Sequence, residues 1–490
     1  MFKKDFLMRK KIKTGLFLAA SFSLVSALFA EDVQPKQALL SNYTLSYANN
    51  PKSVTSFADM FSEGEVYGRL RLNSFLYEWE KETASQDSHT ITGVGGSLVY
   101  KSAALNNLSF GVGLYYSMAF FDENSNPEDK LKSGKDLVSR YNFFTNDDKT
   151  MAVLGQAYID YTALPKTDIR LGRQLVEAFY VKSNDTKMIP NTFDGVVIDN
   201  QAISQTSVKI AYLTKEKLRD HTSSHSVLMF DNSNTAAKST WDGNDDVAMH
   251  QGLSYTNLKA NDIATDAPLI TGDINNKSIE NLTIDASFYS VPELLSQVMG
   301  ELNYKIKHNG FSVTPGIRYI KQFDDKAGKV GGAALDGTTS GYKNPDSLDS
   351  QMVAARIITS YDIYKLNLGY SKTFDEADLV TPWRAFPTAD YTRSMARTNW
   401  IANTQSYRAE LNINPNKSNI YKSVVTQLSI FHSDADESKG QYDENYYYAG
   451  FTQNIPSMLE LQYRARLGYA DTEKKDADNL DARLELNYLF

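Results

Sequence analysis

Nine arginines in this chain of 490 residues stand at alternate positions of segments whose intervening positions are apolar or small. Arg69 and Arg71, for example, alternate with Leu70 and Leu72. A planar guanidinium binds a carboxylate or phosphate through two parallel hydrogen bonds, so a row of these groups could guide small anions by weak, successive contacts. The full set is Arg69, Arg71, Arg170, Arg318, Arg356, Arg408, Arg464, Arg466 and Arg483.

An alternative interpretation is that these arginines only pair with acidic side chains of the same parity. The candidate partners are Asp160, Glu301, Glu410, Glu460, Asp481 and Glu485. Both interpretations produce a transverse field of arginines facing acids, which would orient small polar solutes in either case. The alternation alone leaves the two open.

The elements that carry these arginines are predicted to be β-strands, because apolar residues recur every second position over about ten residues. In the segment 108–120, Leu108, Phe110, Val112 and their even-numbered successors are apolar, while the odd positions are polar, small or tyrosine. The last residues, 480–490, alternate in the same way and end on an aromatic residue. One face of each strand suits hydrocarbon and the other suits water.

Eighteen such segments are predicted, an even number that puts both termini on the periplasmic side of a bacterial barrel. A barrel of sixteen strands is the alternative, because the link 259–280 would be an unusually long periplasmic connection unless the strand near 248–258 is misplaced. The segments are 66–79, 91–101, 107–121, 151–161, 167–174, 195–202, 207–214, 248–258, 281–290, 297–307, 311–322, 351–361, 364–374, 404–413, 422–433, 444–452, 458–470 and 479–490.

The first thirty residues have the layout of a secretory signal peptide, with a basic start and an uncharged stretch from Thr14 to Ala30. Cleavage is predicted after Ala30 or Ala27. Residues 31–64 show no clean alternation and are interpreted as a periplasmic N-terminal lead-in, with a helical turn near 57–61. Residues 65–490 are predicted to form the barrel.

Composition excludes several function classes. The chain contains no cysteine, which excludes disulfide scaffolds, thiol catalysis and Cys-ligated metal sites. Loss of residues 1–30 would leave 45 basic against 58 acidic residues, a net charge of −13. Such an acidic protein lacks the basic surface that nucleic-acid binding requires.

An all-β transmembrane barrel in the bacterial outer membrane is therefore the predicted fold, in preference to a soluble β-sandwich or propeller. Barrel closure satisfies every backbone N–H and C=O within lipid. An eighteen-stranded barrel is too wide for side chains to fill, and the lead-in is too short for a separate plug domain. We therefore expect an aqueous channel, with outer-membrane lipid, lipopolysaccharide and the barrel assembly machinery as partners.

The loop at 174–195 is predicted to fold into the channel. Its apolar runs, 175–181 and 188–190, are unusual for a loop that faces water but suit one packed against an inner wall. An ordinary surface loop is the alternative. The residues expected along the solute path are Arg69, Arg71, Arg170, Lys187, Asp194, Arg318, Arg356, Arg408, Arg464 and Arg466.

The segment RLGRQLVEAFYVKSNDTKMIPNTFDGVVI, residues 170–198, resembles the third-loop region of OprD-type outer-membrane porins. Residues 187–195 match the pattern RLLPqtFxG of that family, with Lys187 for Arg and Met-Ile for Leu-Leu. Residues 381–411 resemble a stretch from one branch of the same family. The resemblance implies an eighteen-stranded monomeric barrel, a basic ladder and uptake of small carboxylate-bearing nutrients or peptides. At Lys187 the ammonium lacks the planar fork of arginine.

Other chemistry has weaker support in the sequence. The motifs G-x-S-x-G and H-E-x-x-H are absent, so neither a nucleophile elbow nor a zinc-protease helix is present. His221, His225 and His250 lie in or near one predicted loop, but no carboxylate spacing fixes a metal geometry around them. We expect a passive porin for small hydrophilic solutes, with no enzyme activity, cofactor or metal. The alternatives are a surface adhesin or loop-mediated binding protein, and a barrel hydrolase.

Overall fold

A computed structural model of the chain describes residues 36–47, 50–82, 88–123, 137–139, 142–143, 146–228, 249–415, 424–455 and 458–490. The predicted signal peptide at 1–30 lies outside these described residues. Within them, eighteen long strands form one closed antiparallel barrel. The predicted fold class and strand count are therefore confirmed.

The strands are numbered in chain order, and five of the twenty-three are short additions to the eighteen barrel strands. They are β1 Gln37–Leu39, β2 Leu45–Tyr47, β3 Ser53–Val54, β4 Glu65–Trp79, β5 His89–Lys101, β6 Ala104–Leu105, β7 Leu108–Glu123, β8 Thr150–Tyr161, β9 Thr167–Gln174, β10 Thr192–Asn200, β11 Thr206–Lys217, β12 Leu269–Asn276, β13 Leu282–Val291, β14 Leu295–Tyr304, β15 Ile306–His308, β16 Phe311–Asp324, β17 Ser350–Tyr361, β18 Tyr364–Thr373, β19 Gln405–Ile413, β20 Val424–Asp434, β21 Glu444–Ile455, β22 Met458–Thr472 and β23 Asn479–Leu489.

Helical structure among the described residues is confined to short connecting segments. Ser56 caps the first helix by accepting a hydrogen bond from the Asp59 amide at 3.1 Å, as an N-cap serine does. The helices are α1 Phe57–Ser62, α2 Tyr255–Ala260 and α3 Ala327–Gly331, with a 3₁₀ turn at Glu437–Lys439. Among the described residues, no helix combines the length and the apolar character needed to cross a bilayer.

Each barrel strand pairs with the next along the chain, and the last strand, β23, closes the barrel by pairing with β4. Both β14 and the short β15 that follows it pair with β16, so β15 extends the edge of the barrel without adding a strand to the eighteen. β1 and β2 pair only with each other and form a separate hairpin. Both ends of the strand system lie at the predicted periplasmic end, and we call the opposite end extracellular.

Strand alternation sorts the side chains between the two faces of the wall. On β4, Leu70 is 57% exposed on the outside, whereas Arg69 is 1% exposed on the inside. Leu98, Leu114, Ile317 and many other apolar side chains are likewise exposed on the outer face. An apolar outer band suits lipid, where a charged side chain at mid-bilayer would cost about 2–4 kcal/mol.

The predicted strand at 248–258 is wrong. Ser254 caps α2 there, by accepting a hydrogen bond from the Asn257 amide, and the eighth barrel strand is β12 instead. The apolar and polar residues of 248–258 alternate by chance, while β12 hides its pattern because its inner face mixes Leu269, Thr271 and Asp273. The anomalous link 259–280 disappears with this correction, because only residues 277–281 connect β12 to β13.

The third extracellular loop, residues 175–191, folds into the barrel as expected. Val176, Tyr180 and Val181 are fully buried with Leu379, Val380 and Trp383 of the loop 374–404. The Lys182 amide donates to the Trp383 carbonyl oxygen at 2.9 Å, so the two loops touch inside the wall. The apolar side chains of residues 175–181 are therefore explained by their contact with loop 374–404.

Candidate functional site

Arg69 and Arg71 on β4 converge on one carboxylate of the inward loop. Asp185 accepts from Arg69 Nη1 at 2.7 Å and from Arg71 Nη1 at 2.5 Å, and its carbonyl oxygen accepts from Arg71 Nη2 at 3.1 Å. Asn487 of β23 accepts two further bonds from Arg69, at 3.0 and 2.7 Å. Loop 175–191 is therefore fixed to the wall by charge-assisted hydrogen bonds.

Three more arginines lie on β23, which pairs with β4, and on β22, the next strand along the wall. Register pairs Arg466 of β22 with Arg483 of β23, Arg464 with Glu485, and Arg483 with Phe75 of β4. Since register partners share a face of the sheet, all of these side chains point inward. We call Arg69, Arg71, Arg464, Arg466 and Arg483 the basic column.

Acidic side chains only partly neutralise the basic column. Arg466 pairs with Glu485, and Arg483 Nη2 lies 2.7 Å from Asp481. With Asp185, these residues set three carboxylates against five guanidinium groups, an excess of two positive charges. Arg464 Nη1 is buried without a hydrogen-bond partner among the residues that the structure describes. The pairing interpretation therefore describes part of the basic column, and anion guidance stays a prediction.

A second group of arginines surrounds Glu301 of β14. Arg318 Nη2 lies 2.5 Å from this carboxylate and Arg356 Nη2 lies 3.1 Å from it. The ring of Tyr391, from loop 374–404, lies 4.6 Å from both guanidinium carbons, a distance that permits cation–π attraction. Tyr391 therefore attaches loop 374–404 to the wall, as Asp185 attaches loop 175–191.

Two of the predicted arginines form local pairs with acids on the inner wall. Arg170 Nε lies 2.6 Å from Asp160, and its guanidinium carbon lies 4.2 Å from the Tyr158 ring. Arg408 pairs with Glu410 two residues along β19. Their partners were among the acids of matching parity in the sequence, so for these two the pairing interpretation describes the geometry.

Lys187 and Asp194 were also expected along the path. Lys187 is buried in the inward loop, and its carbonyl oxygen accepts a hydrogen bond from Asn73 on β4, so it lies beside the basic column. Asp194 instead lies 2.7 Å from Arg173, which also donates to Ser224 at 2.7 Å. On β10, Asp194 lies opposite the exposed Lys215 of β11. The structure therefore places Asp194 away from the arginines of the basic column.

Sequence reasoning missed Asp185, Tyr391 and Tyr43. Asp185 stands in the Ser-Asn-Asp-Thr run that precedes the matched pattern, which is a signal that could have been used. Tyr391 lies in the second stretch that resembles the family, residues 381–411. Tyr43 lies in the lead-in, where no alternation or motif marks it.

Among the described residues, the structure does not bring the histidines together as a set of metal ligands. His221 and His225 are buried with their rings 5.1 Å apart, and burial lowers the pKa of each to about 3, which keeps both neutral. His250 makes a different contact: its Nε2 lies 2.9 Å from the Gly332 carbonyl oxygen. Within the described part of the chain, no group of three or more His, Cys, Asp or Glu side chains could hold a metal ion.

The sequence profile described as "outer membrane porin, OprD family" matches residues 130–400, more than half of the chain. The chain belongs to the OprD family. This porin is accordingly an integral protein of the outer membrane, and the family consists of channels, not enzymes. Among curated proteins, none matches the sequence significantly.

Solved structures of OprD-type porins share the fold at low sequence identity. OccK8 (OprE) of Pseudomonas aeruginosa and OccAB3 of Acinetobacter baumannii each superpose with a TM-score of 0.67 at 14% identity, covering 88% of this chain and 99% of theirs. OpdK of P. aeruginosa, solved with vanillate, has a TM-score of 0.62 at 11% identity, covering 87% of this chain and 98% of its own. These likenesses establish the barrel architecture of this porin.

Proposed function

We propose that this porin admits small hydrophilic solutes that carry a carboxylate, by passive diffusion along the basic column. The observation that supports this most is the excess of two guanidinium charges on the adjacent strands β22, β23 and β4. A carboxylate can exchange its water for one guanidinium fork after another, each contact being weak enough to release it. The predicted role of Arg69, Arg71, Arg464 and Arg466 rests on this excess.

Acids on the opposite wall support a transverse field. β13 lies nine strands from β23, halfway round the eighteen-stranded wall. Asp285 of β13 and Asp273 of β12 line a cavity of about 470 Å³ together with Glu301, Arg318 and Arg356. A solute with a carboxylate at one end and a cation or hydroxyl group at the other would be oriented across the bore, carboxylate toward the basic column.

Vanillate, bound in the solved structure of OpdK, is a small carboxylate, which makes carboxylates the first class to test here. Arginine rather than lysine dominates the column, and its planar fork suits a carboxylate better than the point charge of an ammonium. Arg318 and Arg356 share Glu301 and are proposed to keep one positive charge in excess, whereas Arg170 and Arg408 are proposed to line the solute path as ion pairs with Asp160 and Glu410. Lys187 adds a buried cationic residue beside the column.

The experiment is a reversal-potential measurement on the folded porin in a planar bilayer under a KCl gradient. Arg464→Glu with Arg466→Glu should lower anion permeability relative to cation permeability. The matched control is Lys326→Glu with Lys329→Glu, the same charge change on the extracellular segment around α3. A reversal potential that shifts equally in both double variants would refute guidance by the column, and no discrete current steps in any variant would refute the channel itself.

The division of the chain is part of the same proposal. Residues 1–30 would be removed on export, residues 31–64 would form the lead-in and residues 65–490 the barrel. Phe490, which follows β23 and is 50% exposed, would be accessible to the barrel assembly machinery, and lipopolysaccharide would contact the outer rim. N-terminal sequencing of the mature porin tests the cleavage position, with Glu31 or Leu28 as the expected first residue.

A further inference from the structure

The hairpin of β1 and β2 lies inside the barrel, against the seam where the first and last barrel strands meet. Gln37 Nε2 donates to the Gly68 carbonyl oxygen at 2.6 Å and to that of Phe490 at 3.2 Å. Gly68 and Phe490 are themselves paired through backbone hydrogen bonds. The base of the hairpin is therefore attached to the periplasmic end of the wall.

The tip of the hairpin reaches both the basic column and the inward loop. The Tyr43 carbonyl oxygen accepts from Arg69 Nη1 at 3.1 Å, and Asn42 Nδ2 donates to Glu177 of loop 175–191 at 2.8 Å. The Tyr43 ring lies 4.9 Å from the guanidinium carbon of Arg464 and 5.9 Å from that of Arg69. Tyr43 is only 2% exposed, so its ring covers these two arginines.

The second strand of the hairpin contacts the neighbouring part of the wall. The rings of Tyr47 and Tyr67 are 4.5 Å apart, edge to face. Lys101 Nζ lies 3.7 Å from the centre of the Tyr47 ring. Hairpin residues therefore face inward-pointing side chains of β4, β5 and β22.

The backbone of Tyr43, at the tip of the hairpin, adopts a strained conformation. Tyr43 has a φ of 67°, a left-handed conformation that a bulky residue seldom adopts. Strain of this kind persists where surrounding contacts over-determine the backbone, and such positions concentrate at functional sites. The contacts of Tyr43 with Arg69 and Arg464 supply that constraint.

We propose that residues 37–47 are an internal plug that narrows the periplasmic end of the anion path and determines which solutes pass. This proposal rests on the proposed function, because the plug covers Arg69 and Arg464 of the basic column. Its two strands have three residues each, and a hairpin of that size is marginally stable alone, so its position depends on wall contacts. Tyr43 occupies the space beside Arg464 that a passing carboxylate would need.

The first test is Tyr43→Gly, which removes the ring and suits the left-handed backbone at the tip. Single-channel conductance should rise about twofold, because a constriction sets the resistance of the pore. Leu40→Ala is the matched control, since Leu40 belongs to the same hairpin but is 44% exposed. Equal conductance for Tyr43→Gly, Leu40→Ala and the unaltered porin would overturn the plug.

A second test labels position 43 chemically in the assembled channel. Because the chain contains no cysteine, Tyr43→Cys creates one thiol that a small anionic thiosulfonate can label in the bilayer. Labelling should reduce the current, whereas labelling Lys52→Cys, at an exposed lead-in position, should leave it unchanged. A current that responds at neither position or equally at both would overturn the plug.

The two proposals fail separately. If Arg464→Glu with Arg466→Glu shifts the reversal potential while both Tyr43 variants leave the current unchanged, the plug is wrong and the anion path stands. If Tyr43→Gly raises conductance but the arginine variants do not alter selectivity, the plug stands as a constriction and the choice of carboxylates is wrong.

Discussion

Asp185 and Arg69 form a buried ion pair, 2.7 Å between Oδ2 and Nη1, with side chains that are 4% and 1% exposed. The pair joins the inward loop to the first barrel strand across 116 residues of sequence. Because Asp185 also bonds Arg71, it both anchors the loop and neutralises part of the basic column. On the proposed function, loop stability and ion selectivity would therefore both depend on this one carboxylate.

Asp185→Asn should affect both roles, and each role has its own measurement. Removing one partner of a buried ion pair leaves an uncompensated charge and costs about 3–5 kcal/mol, so the loop should open more readily. The positive excess of the column should rise by one, which increases anion permeability relative to cation permeability. Reversal potentials in a KCl gradient measure the selectivity, and hydrogen exchange at residues 176–183 measures the loop.

Asp194→Asn is the control for that experiment, because it removes the same charge from a carboxylate that pairs with Arg173 away from the column. We expect little change in its reversal potential. An equal shift in both variants would mean that total charge, and not the position of Asp185, governs selectivity.

Trp383→Ala should loosen the contact between the two inward loops. Trp383 is fully buried, its ring lies 4.9 Å from that of Tyr289, and Nε1 donates to the Val227 carbonyl oxygen at 2.5 Å. Truncating a buried tryptophan costs about 3–5 kcal/mol. The free energy of local opening, from hydrogen exchange at residues 176–183, should fall by a comparable amount.

The comparison for Trp383→Ala is Tyr442→Ala, an aromatic truncation at an extracellular position that is 42% exposed. A surface change of this kind usually stays within about 0.5 kcal/mol. Unchanged exchange in Trp383→Ala would show that the loops hold their positions without this contact.

Asp378 should make the stability of loop 374–404 depend on pH. This buried carboxylate accepts hydrogen bonds from the Leu335 and Ala402 amides and from the Tyr342 hydroxyl, yet burial raises its pKa from 3.8 to about 6. The folded protein therefore binds a proton more tightly than the unfolded chain. Its contribution to the free energy of unfolding should fall by up to about 3 kcal/mol as pH rises from about 4 to about 6.

Thermal unfolding in detergent between pH 4 and pH 7 measures this dependence. The melting temperature of the unaltered porin, relative to Asp378→Asn, should decrease as pH rises. Asp375→Asn gives the opposite sign, because hydrogen bonds from Lys343 and Lys439 lower the pKa of Asp375 and its contribution is lost as pH falls. Parallel melting curves for the unaltered porin and Asp378→Asn at every pH would contradict the assignment.

Much of the wall could be predicted from local pattern. The alternation of Arg69 and Arg71 with Leu70 and Leu72 predicts which side chains face inward, because successive side chains of a strand point to opposite faces. The same rule failed at 248–258, where a capped helix happens to show a two-residue pattern, and at β12, where the inner face mixes apolar and polar residues. Local pattern alone cannot distinguish these cases.

Whether the partner of an arginine could be predicted depends on how far apart the two residues are in the sequence. Arg170 and Asp160, ten residues apart on neighbouring strands, could be matched by parity and turn length. Tyr391 lies 73 residues from Arg318, and its position depends on how loop 374–404 packs against loop 175–191. Loop packing of this kind is set by apolar contacts between residues such as Val181 and Trp383, which carry no periodic signal.

By itself, the sequence determined the barrel, the inward loop and the arginines of the inner face, because each follows from short-range alternation or a contiguous motif. The count of eighteen strands was reached with one strand misplaced, at 248–258 instead of at β12. The tertiary structure alone decided that Asp185 joins the loop to the basic column and that the lead-in hairpin enters the bore. Those contacts bring together residues such as Gln37 and Phe490, 453 positions apart, and only the closed barrel places them side by side.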